Sequence, residues 1–258
     1  MKVTHIFHSG FMLEMEESIL LFDWYKGDLP SIADGKRLYV FCSHEHGDHY
    51  SPAIWDLQKK VPEVTYILDE GIPDAARHPE AEVIMVRPHE AYAVHALRIR
   101  TLTSTDMGVA FYIETEGKRI YHAGDLNVWY WNDEPMEDNI ASEAKCRAEM
   151  QSLADILRAG TGEDGDAEKD GTGHAEEGTE GNCGGGKAAL LDVAFVPLDP
   201  RLEEHAPRCM AAFVEILDAK CIFPMHYWAR EDETRAYLKD ARIRGCADRI
   251  CFDREKTI

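Results

Sequence analysis

Ser43-His44-Glu45-His46-Gly47-Asp48-His49-Tyr50 follows the apolar run Leu38 to Cys42 and precedes Ser51-Pro52, a pair suited to the N-cap and first turn of a helix. Three imidazoles and a carboxylate therefore leave a strand end together. A divalent metal such as zinc takes neutral imidazole nitrogen and carboxylate oxygen at about 2.0–2.2 Å. His44 and His46, two apart, can point to one side, while Asp48 and His49 follow the turn and serve a second position. That spacing suits two adjacent metals better than one. A histidine-rich turn can also be a solvated loop, but four ligand-type residues between His44 and His49 at a strand end weigh against that reading.

Matching groups close three other apolar runs. Ile19 to Phe22 leads into Asp23, Arg119 to His122 into Ala123-Gly124-Asp125, and Cys221 to Met225 into His226. Ligands placed just past buried strands are held by a rigid backbone, so these residues are expected to converge at one edge of the sheets.

Strands are expected at Val3 to Phe7, Phe11 to Met15, Ile19 to Phe22, Leu38 to Cys42, Val64 to Leu68, Leu97 to Leu102, Val109 to Glu114, Arg119 to His122, Val193 to Val196 and Cys221 to Phe223, where β-branched and aromatic residues cluster. Glu16-Glu17-Ser18 and Glu116-Gly117-Lys118 read as hairpin turns. Three- and four-residue apolar spacing predicts helices at Pro52 to Lys60, Glu137 to Ala159, Arg208 to Ala219 and Asp232 to Arg242. The segment 161–187 is dominated by Gly, Asp and Glu and is expected to be a disordered surface loop. Its His174 and Cys183 lack the preorganised neighbours a metal site needs.

The chain has 258 residues, which suits one domain with a sizeable core, spanning 1–258. A formal charge of -20 opposes encounter with a phosphate backbone or an anionic membrane, so no nucleic-acid partner is expected. Met1 to His5 lacks the apolar stretch of a secretory signal, and no later run approaches the roughly 20 apolar residues of a membrane-spanning helix. The expectation is a cytoplasmic protein without membrane insertion. Seven cysteines with no C-x-x-C pair fit reduced thiols, and Cys42 and Cys221 sit in apolar runs as small core residues.

The ordered set His44-x-His46-x-Asp48-His49, the early Asp23 closing a strand, Gly124-Asp125 after a strand and the late His226 resemble the metallo-β-lactamase superfamily over nearly the whole chain apart from the acidic segment. His8-Ser9-Gly10-Phe11 and Tyr121-His122-Ala123-Gly124-Asp125 are most similar to its small bacterial branch of lactonase-like and phospholipase D-like hydrolases. The resemblance implies an α+β fold, a four-layer αββα sandwich. It assigns His44 and His46 to a first metal, Asp48, His49 and His226 to a second, Asp125 to a bridge between them, and Asp23 to orienting the histidine loop. Zinc is the metal most expected, as one or two ions.

One departure matters. The family supplies another first-metal histidine between the histidine loop and Gly124-Asp125, where this chain has Thr103-Ser104-Thr105-Asp106-Met107-Gly108. His89 and His95 both precede the strand that the missing ligand should follow. Asp106 or Thr105 is therefore expected at the site. Either Asp106 replaces the imidazole with an oxygen ligand, or the first position is weak and exchanges readily, leaving the second as the only tightly occupied one. Oxygen-rich coordination would admit Mn2+ or Fe2+.

The implied chemistry is hydrolysis by a metal-bound hydroxide, formed because zinc lowers the pKa of water from 15.7 to about 7. Asp48 and Asp125 are the catalytic candidates, orienting the attacking water while they ligate. Trp129, Tyr130 and Trp131, and Tyr227 and Trp228, supply an aromatic wall for substrate or ordinary packing. Arg201 either fixes an anionic substrate group or pairs with Asp199 or another acid. A small-molecule substrate carrying an ester, lactone, amide or phosphoester bond is expected. The competing readings are a phosphodiesterase or nuclease on the same fold and a non-catalytic metal-binding interaction protein. β-Lactam hydrolysis is disfavoured by the absence of a signal segment.

Overall fold

Buried β-branched runs dictate most of the architecture. The computed structural model describes residues 1–160 and 190–258, so the expected loop at 161–187, with His174 and Cys183, lies outside the described residues. The first half contributes β1 (Lys2–Phe7), β2 (Gly10–Glu14), β3 (Ser18–Phe22), β4 (Arg37–Cys42), β5 (Val64–Asp69), β6 (Glu82–Val86), β7 (Ala91–Val94), β8 (Leu97–Thr103), β9 (Val109–Thr115) and β10 (Lys118–His122). Helix α1 (Met136–Gly160) follows, then β11 (Leu191–Pro197), α2 (Pro207–Ile216), β12 (Ala219–Met225), α3 (Glu231–Ala236) and β13 (Glu255–Thr257).

Two mixed sheets form, in the orders β13-β1-β2-β3-β4-β5-β6 and β12-β11-β10-β9-β8-β7. Both expected hairpins are present, as antiparallel β2–β3 and β9–β10 pairs. The sheets face each other through an aromatic seam, with Phe11 and Phe195 at 4.3 Å and Phe41 and Phe111 at 5.2 Å between ring centroids. Behind the second sheet, α1 and α2 bury Cys146, Met150, Leu153, Met210 and Phe213 in the same core. Behind the first sheet, Ile54, Trp55 and Leu57 cover Val40, Tyr66 and Leu68. The result is the expected helix, sheet, sheet, helix sandwich.

The outer layer over the first sheet is thinner than expected. Pro52–Lys59 forms a 3-10 helix rather than an α-helix, capped by Ser51, whose side chain accepts from the Ala53 amide. The third expected helix stops at Ile216, because Asp218 takes φ 62 and Ala219 already begins β12. Asp232 to Arg242 shortens to α3 and the 3-10 turn Tyr237–Lys239. There Asp240 accepts from the Arg242 amide at 2.8 Å and folds the chain locally instead. Three strands exceed the expected set, all at sheet edges: β6 carries a β-branched run, whereas β7 and β13 are of lower propensity.

Chain direction places the site. β3, β4 and β5 run parallel to one another, as do β10, β11 and β12. Parallel strands deliver the residues after their carboxyl ends to one edge, where open α/β sheets bind ligands. Asp23, Ser43-His44, Asp125, Asp199 and His226 follow β3, β4, β10, β11 and β12 in that way.

Two glycines let this edge close. At Gly108, with φ +71, an added Cβ would lie 2.0 Å from the Ser43 carbonyl oxygen and 2.6 Å from His44 Cβ. At Gly124, with φ +52, it would meet the Val109 carbonyl oxygen at 2.7 Å. Gly108→Ala should cost at least about 2 kcal/mol, through positive-φ strain and backbone displacement, lowering Tm by roughly 4–8 °C in thermal unfolding followed by circular dichroism. An unchanged Tm would show that the backbone relaxes freely there.

Candidate metal centre

Asp23 is the first fixed point. It is 1% exposed and accepts from the Ser43 amide at 2.8 Å and the Ser43 hydroxyl at 2.7 Å. Its Oδ2 also lies 2.7 Å from His49 Nδ1. His49 Nδ1 therefore carries the hydrogen and donates to Asp23, which turns Nε2 inward. The Ser43 hydroxyl, committed as donor to Asp23, accepts from His44 Nδ1 at 3.0 Å. His44 Nε2 faces inward by the same logic. The loop between them is closed by the His49 and Tyr50 amides, which both donate to the His46 carbonyl at 2.9 Å.

Asp125 stands between the inward nitrogens. Its Oδ2 is 3.5 Å from His44 Nε2, whereas its Oδ1 is 3.1 Å from His49 Nε2 and 3.3 Å from His226 Nε2. Each carboxylate oxygen thus faces a different side, as a bridging carboxylate must. Ligand atoms of His44, His46 and Asp48, of His44, His49 and Asp125, of His46, Asp106 and Asp125, and of His8, Asp48, His49 and His226 lie within 4.8 Å of one another in each group.

The donors fit divalent cations. Nε2 of His8, His44, His49 and His226 and Oδ1 of Asp125 are buried without a hydrogen-bond partner. Leaving a buried polar atom unsatisfied costs about 1–3 kcal/mol, so orphaned nitrogens around one space mark a place built for an electron-pair acceptor. Nitrogen and carboxylate oxygen without thiolate is the donor set of zinc, manganese and iron sites.

Electrostatics agree. Burial, aided by the charge on His49, pushes His44 down to about 4, keeping it a neutral electron-pair donor. Burial also opposes ionisation of Asp125, but the charge and contact of His49 outweigh it and hold that carboxyl well below the usual range. His49 goes the other way: burial lowers it, yet Asp125 and Asp23 raise it well above an ordinary histidine.

The remaining expected residues separate. Asp106 is exposed and close enough to join His46 and Asp125. Thr105 does not offer a free hydroxyl, because its Oγ1 lies 3.1 Å from the Asp125 carbonyl and 2.6 Å from that of Asn127. His89 and His95 lie away from the centre, at 2.8 Å from Thr103 Oγ1 and Glu82 Oε1 respectively. Trp129, Trp131, Trp228 and Arg201 line a cleft of about 490 Å3 above His46, Asp106 and Asp125. Tyr227 does not line it: the residue is 4% exposed, its hydroxyl meets His5 Nδ1 at 3.0 Å, and its ring packs against Phe252. Tyr130 likewise packs against His205 with ring centroids 4.2 Å apart, under Arg208.

Arg201 does pair with Asp199, through Nε at 2.9 Å and Nη2 at 2.5 Å. Asp199 in turn accepts from His226 Nδ1 at 2.9 Å, and it is this fully buried carboxylate that orients His226. The sequence reading gave Asp199 no such role; the signal lies in the register, which pairs Pro197 with Met225 and so sets Asp199 beside His226. His8, quoted above only for its motif, is also part of the cluster. His122 is structural: Nε2 donates to the Ser9 carbonyl at 2.9 Å, Nδ1 accepts from the Gly124 amide at 3.2 Å, and the ring stacks on Phe22.

Asp23→Asn keeps an oxygen for Ser43 but removes the anionic acceptor for His49 Nδ1. Loss of such a partner costs about 10- to 100-fold in metal affinity, and chelator-competition titration should read that loss while circular dichroism stays unchanged. Unaltered affinity would mean that His49 is oriented by packing alone.

No protein-family model matches the sequence. The chain is similar to a UPF0173 metal-dependent hydrolase of Korarchaeum cryptofilum, 31% identical over 138 residues that make up 50% of this chain and 62% of the relative. The chain thus spans less than two thirds of the length of the curated relatives it matches. Among solved structures, a metallo hydrolase from Ignicoccus hospitalis superposes with a TM-score of 0.59 at 15% identity, over 94% of this chain and 91% of the other. The diiron β-hydroxylase CmlA of Streptomyces venezuelae superposes with a TM-score of 0.57 at 11% identity, over 100% of this chain and 53% of the other. At these identities the structures show the shared fold.

Proposed function

We propose that this chain, which has the metallo-β-lactamase fold, is a metal-dependent hydrolase that cleaves an ester, lactone, amide or phosphoester bond of a small molecule. The observation that carries the reading is Asp125, whose two oxygens face His44 on one side and His49 and His226 on the other. His44, His46, Asp106 and Asp125 would hold a first ion, and Asp48, His49, His226 and Asp125 a second. When bound, a divalent cation supplies Lewis acidity, bringing the pKa of a coordinated water towards neutrality and polarising the substrate's oxygen.

The chain's own groups do the rest. Burial opposes ionisation of Asp48, but the His8 contact and the charge on His49 hold its carboxyl below the usual range, so it is an anion at neutral pH. Its oxygens accept from an attacking water and orient it. Trp129 and Trp228 flank the cleft, and Arg201 is held in place by Asp199, with its guanidinium carbon 4.9 Å from the Trp228 ring centroid. A planar acyl or aryl group fits between such walls.

The donor set supports zinc, and the two carboxylates of the first position also suit manganese or iron; the likeness to a diiron protein is compatible with that tolerance. A phosphodiester in a polymer is the weaker substrate, since the -20 charge repels it over long range. A purely metal-binding interaction protein would need no open aromatic cleft above the ligands.

Elemental mass spectrometry on protein purified without chelators should find two ions per chain, falling towards one in His46→Ala and in Asp106→Ala. Retention of both ions in Asp106→Ala would remove Asp106 from the ligand set. Chelation should abolish hydrolysis of a panel of chromogenic esters, lactones and phosphoesters, and added metal should restore it. Turnover indifferent to chelation would overturn the metal-dependent reading. Trp228→Ala should raise KM for aryl substrates about 10-fold with kcat within about threefold, as loss of a binding wall does; an equal fall in kcat would place Trp228 in the chemical step.

A further inference from the structure

The turn between β1 and β2 brings a residue to the second metal position that the ligand set above leaves out. His8 is 1% exposed and neither ring nitrogen has a hydrogen-bond partner. Its Nε2 lies 3.4 Å from Asp48 Oδ2, and its ring centroid is 4.2 Å from that of His226 and 5.8 Å from that of His49. One ligand atom from each of His8, Asp48, His49 and His226 falls within 4.8 Å of the others.

The backbone also singles out this residue. His8 takes φ 56, and Asp23, His226 and Trp228 around the same centre take positive φ as well. A non-glycine residue in that region costs of order 1 kcal/mol or more, and such residues gather where function over-determines the geometry. A packing residue at the turn would be cheaper as glycine or asparagine. The ring is fixed from outside by Trp228, 4.2 Å away between centroids, and by the edge of Tyr25 at 6.2 Å. An aromatic cage explains an aromatic side chain, but not two buried nitrogens without partners. A hydrogen bond to Asp48 does not explain them either, since charge-assisted N–H···O bonds close to about 2.7–2.9 Å.

We propose that His8 is a third imidazole ligand of the second metal position, an assignment that rests on the dinuclear reading above. The second position then draws on His8, His49, His226, Asp48 and Asp125, and the first on His44, His46, Asp106 and Asp125. Nitrogen is shifted from the first position to the second. The second position therefore holds zinc more tightly, and chelation strips the first position before it.

The test is zinc titration against a chromophoric chelator with the parent, His8→Ala, His8→Gln and His46→Ala, alongside X-ray absorption of the parent loaded with one equivalent of zinc. The expected results are two separable affinities in the parent and at least a 10-fold loss of the tighter one in both His8 variants. His46→Ala should weaken the looser one, and the singly loaded parent should show three imidazoles per ion. An unchanged tight affinity in His8→Ala overturns the proposal, as does its rescue in His8→Gln, which would make His8 a hydrogen-bond donor that positions Asp48. If the His8 variants do not fold, the absorption spectrum decides, and two imidazoles per ion overturns it. A parent that binds no zinc, manganese or iron removes both this assignment and the metal-dependent reading; a parent with two ions and an indifferent His8→Ala removes this one alone.

Discussion

A single buried carboxylate sets the geometry on which everything else rests. Asp23, at the end of β3, accepts from the amide and hydroxyl of Ser43 at the end of β4 and from the ring of His49 beyond it. Burial disfavours its charge, but the charge and hydrogen bond of His49 prevail and hold the carboxyl below its usual range. An anion taken out of water is stable only when its partners are in place. The residue that anchors the loop thus ties the integrity of the sandwich edge to the orientation of the ligands.

From that anchor the site follows as a chain of constraints. Ser43 passes the orientation to His44, Asp199 fixes His226 from the neighbouring parallel strand, and Gly108 and Gly124 allow two backbone segments to approach Ser43. The inward nitrogens are left without partners because each ring's other nitrogen is occupied on the protein side for His44, His49 and His226. Orphaned polar atoms are costly in a fold of ordinary marginal stability. Their concentration around Asp125 is therefore a functional expense, one that a bound cation would offset.

What the sequence revealed about this site, and what it hid, divides along a physical line. The histidine loop, Asp23, Asp125 and His226 were readable because each directly follows an apolar run, and strand ends converge in parallel sheets. Asp106, which the structure sets near His46 and Asp125, was readable as the acid in the stretch where the family that the sequence resembles supplies an imidazole. Asp199 was hidden because its role depends on the register of β11 with β12. His8 was hidden because a turn histidine gains meaning only when the second sheet lies against it. Tyr227 was misplaced for a local reason: His226 and Trp228 both take positive φ, and the residue between them points into the packing with Phe252. The helices read too long where a polar side chain stopped them, as Asp240 does beyond α3.

The account stands or falls on two adjacent cation positions sharing Asp125. Anomalous X-ray scattering from crystals of protein purified without chelators, collected across the zinc, iron and manganese edges, measures this directly. It should show two peaks on opposite sides of the Asp125 carboxylate, one against His44 and His46 and one against His49 and His226. The absence of any peak, after the same crystals are soaked in each metal, would contradict it.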